Sequence, residues 1–264
     1  MSSERVEEAR EAYRKHALEV SRRVHERERI KEDVYHRKAE GTYIGDLVYG
    51  ALDGIITTFA VVAGAAGASL SAGVVLILGF ANLLGDGVSM ALGNYLSTKS
   101  ELEYRNSERA REEWEIENIP EGETEELRQI YEKKGFKEPL LEQVVSVLTS
   151  DRENWLDTMM LEELNIVVEE KSPVKSALAT FIAFVVVGII PLLAFLLSYV
   201  QPFLSGIDLQ ISLLLTGLAI FVVGSARSRV TGKKWYIAGV EMTIVGALAA
   251  GAAYMVGFLL GGLA

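Results

Sequence analysis

The sequence predicts an all-α integral membrane protein with five transmembrane helices and a small charged helical domain between helices 2 and 3. Half of its 264 residues are hydrophobic, and they are concentrated in five long apolar segments. The stretch from Leu96 to Lys171 contains 21 acidic and 10 basic residues, while the whole chain has a net charge of −10. Such segregation of charge is typical of a membrane protein with a water-exposed insertion.

Residues 1–44 are predicted to form a long charged helix, because apolar residues recur in them every three or four positions. This segment has no short apolar run before a small-residue cleavage site, so we predict no secretory signal. The three histidines of the chain are interpreted as surface residues of this helix in preference to metal ligands: His16, His25 and His36. The absence of cysteine excludes disulfides and thiolate metal ligands.

Five apolar segments follow, each near or above the roughly 20 residues that cross a bilayer. They are Gly45–Ser69, Ala72–Tyr95, Val174–Tyr199, Leu209–Ser225 (the shortest) and Trp235–Leu263. The predicted organisation is therefore an N-terminal helix (1–44), transmembrane helices 1–2 (45–97), the charged insert (98–173) and transmembrane helices 3–5 (174–264).

Two small-residue motifs mark the first and fifth segments, Gly50-x-x-x-Gly54 and Gly257-x-x-x-Gly261. This spacing allows close helix packing in lipid. Packing within one chain and packing across a dimer are both open for each motif.

Basic residues predict the orientation of the chain. The link between the fourth and fifth segments carries four of them, Arg227, Arg229, Lys233 and Lys234, whereas the first and third links carry none. The positive-inside rule places the basic link in the cytoplasm. Alternation then places the N-terminus and the 98–173 insert in the cytoplasm as well.

The first half of the insert continues the second transmembrane helix. No helix-breaking residue precedes Pro120, so this helix is predicted to extend to about Asn118. Pro120 and Gly122 are predicted to form a turn before a helix over Thr124–Lys134.

Two more helices are predicted in the second half of the insert. Pro139 opens the first of them, since proline is favoured at a first helical position. A capping box, Ser150-x-x-Glu153, opens the second, which is predicted to cover 151–168.

The insert also contains a pattern of metal-ligand residue types. Glu-x-x-Glu pairs and a Met-Met-x-x-Glu run place carboxylates and thioethers three or four residues apart, on shared helix faces. The predicted metal residues are Glu112, Glu115, Glu123, Glu126, Met159, Met160 and Glu163, with Glu101 and Glu108 as additional members of the first face. A solvated acidic surface and a methionine core are the alternative interpretations of these motifs taken singly.

The mixture of carboxylate and thioether favours Fe²⁺, Mn²⁺, Co²⁺ or Zn²⁺ over Mg²⁺ and Ca²⁺. Metal binding is predicted to weaken below about pH 5, because carboxylates have reference pKa values near 4.3.

Four acids were recognised in the membrane part: Asp53, Asp86, Asp208 and Glu241. Asp208 is predicted in an external loop, and Glu241 is predicted to face basic residues of the cytoplasmic link. Asp53 and Asp86 lie inside apolar segments, where an ionisable group is costly and indicates function. The helical rise places Asp53 and Met90 within about 5 Å in depth, and Asp86 is one turn from Met90. These three residues predict a path for a cation, with a single hydrogen-bonded aspartate as the alternative.

Several short motifs resemble the vacuolar iron transporter family over residues 45–264. They are Asp53-Gly54, Ser89-Met90, Tyr95-Leu96, Lys99-Ser100-Glu101 and Met159-Met160-x-x-Glu163. The resemblance implies a homodimer of five-span subunits whose cytoplasmic domain collects metal and whose spans export Fe²⁺ in exchange for protons. The seven insert residues above match the family's metal-domain positions, and Asp53 and Met90 match its pathway positions.

One position departs from that family. Asn82 stands where some members have a carboxylate, and Asp86 is the candidate substitute. The resemblance assigns no role to the N-terminal helix and does not distinguish iron from manganese.

The expected partners are a second copy of the chain, membrane lipid, divalent metal ions and protons, and no nucleic acid. No cofactor is predicted, since Fe²⁺ would be the transported ion, with Mn²⁺, Co²⁺ or Zn²⁺ as alternatives. The membrane would be the plasma membrane in a prokaryote or the vacuolar membrane in a eukaryote.

Two other classes of function were weighed. A membrane-anchored metal-binding or sensing protein without translocation is the main alternative, although it needs no acids inside the membrane. An enzyme such as a ferroxidase is disfavoured, because di-iron carboxylate sites use Glu-x-x-His pairs. No phosphate-binding nucleotide loop occurs, which argues against an ATP-driven pump.

Overall fold

The computed structural model describes residues 8–9, 11–13, 15, 17–24, 42–167, 171–201, 203, 206–231 and 233–263. Its helices are α1 (Leu18–Val24), α2 (Ile44–Gly67), α3 (Ala72–Asn118), α4 (Pro120–Lys133), α5 (Leu140–Thr149), α6 (Arg152–Glu162), α7 (Pro173–Gly188), α8 (Ile190–Val200), α9 (Asp208–Thr231) and α10 (Trp235–Leu260), followed by a 3₁₀ turn (Gly261–Leu263). These residues contain no β-strand.

The chain divides into two compact units. The membrane unit comprises Met1–Asn94 and Val174–Ala264, and the acidic unit comprises Tyr95–Pro173. Helix α3 belongs to both, its apolar first half to the membrane unit and its charged second half to the acidic unit.

Four helices of the membrane unit, α2, α3, α9 and α10, are long and apolar enough to cross a bilayer. The bent pair α7 and α8 brings the number to five if the pair is one span. These helices make the chain a multi-pass membrane protein.

The third predicted span is bent rather than straight. Helices α7 and α8 meet at an angle of 41°. Pro191 lies in the first turn of α8, and because proline has no N–H, the α-helical ladder cannot continue through it. The Ser212 hydroxyl of α9 donates a hydrogen bond of 2.7 Å to the Pro191 carbonyl, which satisfies an oxygen at the bend.

Helix α9 is longer than its apolar stretch. It has 24 residues, of which Asp208–Ser228 (21 residues) form the candidate span, so the fourth span is the shortest of the candidate spans, as predicted. Its last turns contain Arg227, which a prediction from hydrophobicity alone assigns to the link. Long basic side chains are tolerated at a span's end, because they extend from the helix to the membrane surface.

Both small-residue motifs pack within the chain. A Cβ atom on Gly54 would lie 2.9 Å from the Phe184 Cα of α7. A Cβ atom on Gly257 would lie 2.8 Å from the carbonyl carbon of Gly64 in α2. Such contacts are too short for any side chain, so these glycines hold α2 against α7 and α10. The choice left open by the sequence is resolved in favour of packing within one chain.

The prediction of one continuous N-terminal helix is wrong. Ala17 is not helical, and α1 begins only after it. Residues 1–44 therefore do not form a single continuous helix. His16, His25 and His36 lie outside the described residues.

The acidic unit departs from prediction at helix α4. Helix α3 ends at Asn118 as predicted, but α4 begins at Pro120 itself, so the predicted Pro120–Gly122 turn is wrong. Proline is preorganised for a first helical position, and Glu121 and Glu123 in the same turn favour the positive end of the helix dipole.

Helix α6 departs from prediction at both ends. Asp151, not Ser150, is the N-cap, because its carboxylate accepts a 2.9 Å hydrogen bond from the Asn154 N–H. The helix ends at Glu162 and not at residue 168. Asn165 adopts the left-handed region with φ of 54°, which asparagine tolerates better than most residues. The reversed chain lets the Ile166 N–H donate to the Met160 carbonyl.

Candidate metal centre

Three glutamates from different helices converge in the acidic unit. They are Glu112 on α3, Glu123 in the first turn of α4 and Glu163 at the C-cap of α6. One carboxylate oxygen from each lies within 4.8 Å of the others. The start of α4 at Pro120 and the end of α6 at Glu162 therefore contribute directly to the cluster. Three carboxylates at this separation repel one another unless a cation or protons neutralise them.

Burial makes this repulsion costly. Glu112 is 0% exposed and Glu123 is 6% exposed, whereas Glu163 is exposed and opens the cluster to solvent. Neither oxygen of Glu112, nor Oε2 of Glu123, has a hydrogen-bond partner among the described residues. The Arg111 guanidinium is 2.7 Å from Glu112 Oε1 but lacks hydrogen-bond geometry, so this contact is an ion pair alone. A buried carboxylate without donors is destabilising, so the cluster is not explained by folding alone.

The electrostatics of the cluster follow from this geometry. Burial, reinforced by the Glu163 charge, raises the pKa of Glu112 to about 7. Burial and the neighbouring Glu112 and Glu126 raise the pKa of Glu123 to about 7. Desolvation also raises the pKa of Glu163, and Glu126 adds to the effect. Near neutral pH Glu112 and Glu123 therefore exchange protons readily, and a cation can take the place of those protons.

The metal-free protein is expected to lose stability in the acidic unit as the pH rises from about 4.5 to about 7. The folded state holds protons on Glu112 and Glu123 up to about pH 7, whereas carboxyls of the unfolded chain release theirs near 4.5. The unfolded state therefore binds fewer protons in this window, and the free energy of unfolding falls. Thermal unfolding with a chelator present, followed by fluorescence of the core residue Trp155, measures this loss. A Glu112→Gln variant should show a smaller change between pH 5.5 and pH 8, and an equal change would contradict the assignment.

The predicted thioether ligands are buried in the core of the acidic unit. Met159 and Met160 are fully buried in an apolar cluster with Leu127, Trp155 and Leu156. Both side chains therefore pack as core residues, and their role as metal ligands stays a prediction. Glu163 follows Met159 by one turn, and its N–H donates a 3.0 Å hydrogen bond to the Met159 carbonyl.

The remaining predicted acids lie outside the three-carboxylate group. Glu115 and Glu108 pair with Arg111, the latter at 3.2 Å. Glu126 is exposed and adds negative charge near Glu123 and Glu163. Glu101 is exposed and accepts a 3.5 Å hydrogen bond from Ser97. The structure thus brings together one glutamate from each predicted motif.

Other acids of this unit form ordinary surface ion pairs. Arg109 contacts Asp157 at 2.6 Å and Glu153 at 2.7 Å, and Arg152 contacts Glu113 at 2.9 Å. These pairs are at least partly exposed, unlike the cluster. The cluster therefore differs from these acidic residues, which are paired with arginines near the surface.

The membrane unit contains a polar network that the sequence reading missed. Asp46, in the first turn of α2, is almost fully buried. The Asn94 amide nitrogen of α3 lies 3.0 Å from Asp46 Oδ1, 2.7 Å from Thr180 Oγ1 and 3.3 Å from the Ser176 carbonyl oxygen. One asparagine therefore joins α2, α3 and α7. Asp46 was not predicted from the sequence because it precedes the most apolar part of its segment. The signal that could have found it is its spacing, since Asp46 is seven residues before Asp53 and lies on the same helix face.

The Asn94–Asp46 hydrogen bond fixes the register of α2 against α3. At a rise of 1.5 Å per residue, Asp53 lies about 10.5 Å from that bond along α2. On α3, Met90 lies about 6 Å from the bond and Asp86 about 12 Å from it. Asp53 is thus closer in depth to Asp86 than to Met90. All three side chains are partly buried.

Three further polar residues were singled out by the sequence. The Asn82 amide nitrogen is buried without a hydrogen-bond acceptor among the described residues. Asp208 begins α9 and accepts a 2.9 Å hydrogen bond from the Leu209 N–H and a 3.5 Å hydrogen bond from the Ser198 hydroxyl of α8. Glu241 pairs with Lys233 at 3.2 Å, which confirms its prediction as a partner of the basic link.

Together, the apolar spans and the convergent carboxylates define a helical multi-pass membrane protein with a site able to hold a cation. The family model of the VIT family matches residues 44–258, and the chain belongs to this family.

Individual relatives extend the match over most of the chain. A "Vacuolar iron transporter" of Toxoplasma gondii is 34% identical over 267 residues, which cover 97% of this chain and 88% of the relative. A protein of the same name from Plasmodium berghei is 30% identical, with 98% of each chain covered. "Vacuolar iron transporter 1" of Arabidopsis thaliana is 35% identical, with 81% of this chain and 84% of the relative covered.

Proposed function

We propose that this protein transports a divalent transition-metal ion, Fe²⁺ first and Mn²⁺ second, out of the cytoplasm in exchange for protons. The observation that carries the proposal is the largely buried cluster of Glu112, Glu123 and Glu163, whose charges lack full compensation. Among the described residues, both oxygens of Glu112 and Oε2 of Glu123 have no hydrogen-bond donor. Relatives over most of the chain are named vacuolar iron transporters, which supports iron as the ion.

The acidic unit would collect the ion on the cytoplasmic side. The exposed Glu163 is the route from solvent, and the two buried glutamates complete the oxygen ligands. Met159 and Met160 are proposed to add thioether contacts from the core beside Glu163, and Glu115 and Glu126 to add charge at the rim. Because Glu112 and Glu123 hold protons up to about pH 7, metal affinity should begin to fall as the pH drops below about 7. Carboxylates with reference pKa values would lose the metal only below about pH 5.

The path through the bilayer would use Asp53, Asp86 and Met90. An ionised carboxylate inside a membrane is unfavourable, and a bound cation or proton relieves that cost. A carboxylate that holds either a cation or a proton, but not both at once, couples the movement of the metal ion to the counter-movement of protons. Asp86 is proposed to take the coupling role in place of Asn82, since it is close in depth to Asp53.

The transporter is proposed to be a homodimer. Asp53, Asp86 and Met90 supply three side chains, fewer than the four to six ligands that divalent transition metals take. A two-fold axis beside the first helices would double this set. Because the Gly50 and Gly257 motifs pack within the chain, the dimer contact must use another face. Mass measurement in detergent tests the proposal, and transport by a pure monomer would reject it.

Reconstituted vesicles test the transport function itself. Fe²⁺ or Mn²⁺ uptake should be accompanied by counter-directed proton movement, read by a pH dye trapped inside. Uptake without a pH change would reject proton exchange. If the protein binds metal in detergent but moves none into vesicles, it is instead a membrane-anchored metal-binding protein.

A further inference from the structure

Arg111 is the cation of the carboxylate cluster. It lies on α3 in the turn shared by Glu108, Glu112 and Glu115 and contacts all three. Its guanidinium is 2.7 Å from Glu112 Oε1, and a further nitrogen pairs with Glu115. Among the described residues, Glu112 is the one member of the cluster with an ion pair, and Arg111 supplies it.

This arginine differs from its neighbours in the acidic unit. Arg109, two residues earlier, pairs with Glu153 and Asp157, which are mainly exposed. Arg111 instead directs its charge at a fully buried carboxylate. Because that contact lacks hydrogen-bond geometry, it contributes charge compensation and does not orient the carboxylate.

We propose that Arg111 is the built-in counter-ion of the cluster, and that a divalent ion binds by taking over its charge-compensating role. This inference rests on the proposed function of the cluster as a metal site. A divalent ion among these carboxylates is repelled by a guanidinium already beside Glu112, and repulsion at a partly buried site is only weakly screened. Arg111 thus stabilises the metal-free protein and lowers metal affinity, which favours release of the ion after capture.

The test compares Arg111→Gln with Arg109→Gln in the full-length protein in detergent. Both changes remove one positive charge from the same helix, but only the first removes it from the cluster. At pH 8, Co²⁺ should bind Arg111→Gln about tenfold or more tightly than the wild type, a gain of the size expected for a partly screened unit charge. Arg109→Gln should stay within about threefold, since exposed pairs contribute little. Arg111→Lys, which keeps the charge, should also remain near the wild type.

Thermal unfolding supplies a second readout. Arg111→Gln should lower the unfolding midpoint without metal yet increase the stabilisation that saturating Co²⁺ produces. If Arg111→Gln does not fold, Arg111→Met keeps the side-chain stem and carries the same expectation.

Equal or weaker Co²⁺ binding by Arg111→Gln would overturn the counter-ion role and leave the proposed metal site intact. Absence of Co²⁺ binding by the wild type would overturn both.

Discussion

Asp53→Asn is expected to abolish metal transport while leaving Co²⁺ binding by the acidic unit unchanged. Asparagine keeps the shape of the side chain but removes its charge and its proton. A carboxylate in a span costs about 2.5–3.5 kcal/mol on insertion scales, and relief of that cost is the proposed basis of ion binding at Asp53. Losing an interaction of this size should reduce Fe²⁺ uptake and counter-directed proton flux by more than about fifty-fold.

Asp208→Asn is the matched control for this experiment. It removes the same charge from the same unit, at the first residue of α9, where Asp208 accepts hydrogen bonds from Leu209 and Ser198. Its transport rate should stay close to that of the wild type. If Asp53 merely joins neighbouring helices by hydrogen bonds, asparagine would serve equally well, and wild-type flux in Asp53→Asn vesicles would refute the pathway.

Glu112→Gln should weaken metal binding by at least about a hundredfold, because it removes the charge of the most buried of the three proposed ligands. The same change should stabilise the metal-free protein at pH 8. At that pH Glu112 is ionised and buried, and it has no hydrogen-bond donor among the described residues. Glutamine removes the buried charge. A gain of about 1 kcal/mol corresponds to a rise of about 2–4 °C in the unfolding midpoint.

Glu113→Gln separates this effect from a general loss of charge. Glu113 is half exposed and pairs with Arg152 at 2.9 Å. Its substitution should leave metal affinity nearly unchanged and lower the midpoint slightly or not at all, since surface ion pairs contribute about 0–1 kcal/mol. Calorimetry with Co²⁺ and thermal unfolding with chelator measure the two quantities. A Glu112→Gln protein that is less stable without metal would show that Glu112 is a structural residue.

Boundaries were predicted well where one residue type decides them. Helix α3 ends at Asn118 because Pro120 cannot continue it. Boundaries that depend on competition between neighbours were predicted less well. Asp151 replaces the expected Ser150 cap, because the Ser150 hydroxyl instead donates a 2.7 Å bond to the Val147 carbonyl of the preceding helix.

The candidate ligands could be named from the sequence, but not their separate environments. Spacing placed Glu112 and Glu115 on one face, yet one is fully buried and the other is paired with Arg111 near the surface. Helical periodicity does not predict which residue of a helix face packs against another helix. The role of Asp46 was missed for the same reason, since its importance comes from Asn94, 48 residues away.

By itself, the sequence determined that the chain is helical, crosses a membrane several times and carries a distinct acidic segment. These properties follow from local composition and from the length of apolar runs, which are additive along the chain. Only the tertiary structure decided which carboxylates converge and that Asp53 is level with Asp86. It also decided that Glu112 and Oε2 of Glu123 have no hydrogen-bond donor among the described residues. Those properties depend on burial and helix register, which arise when residues distant in sequence are packed together.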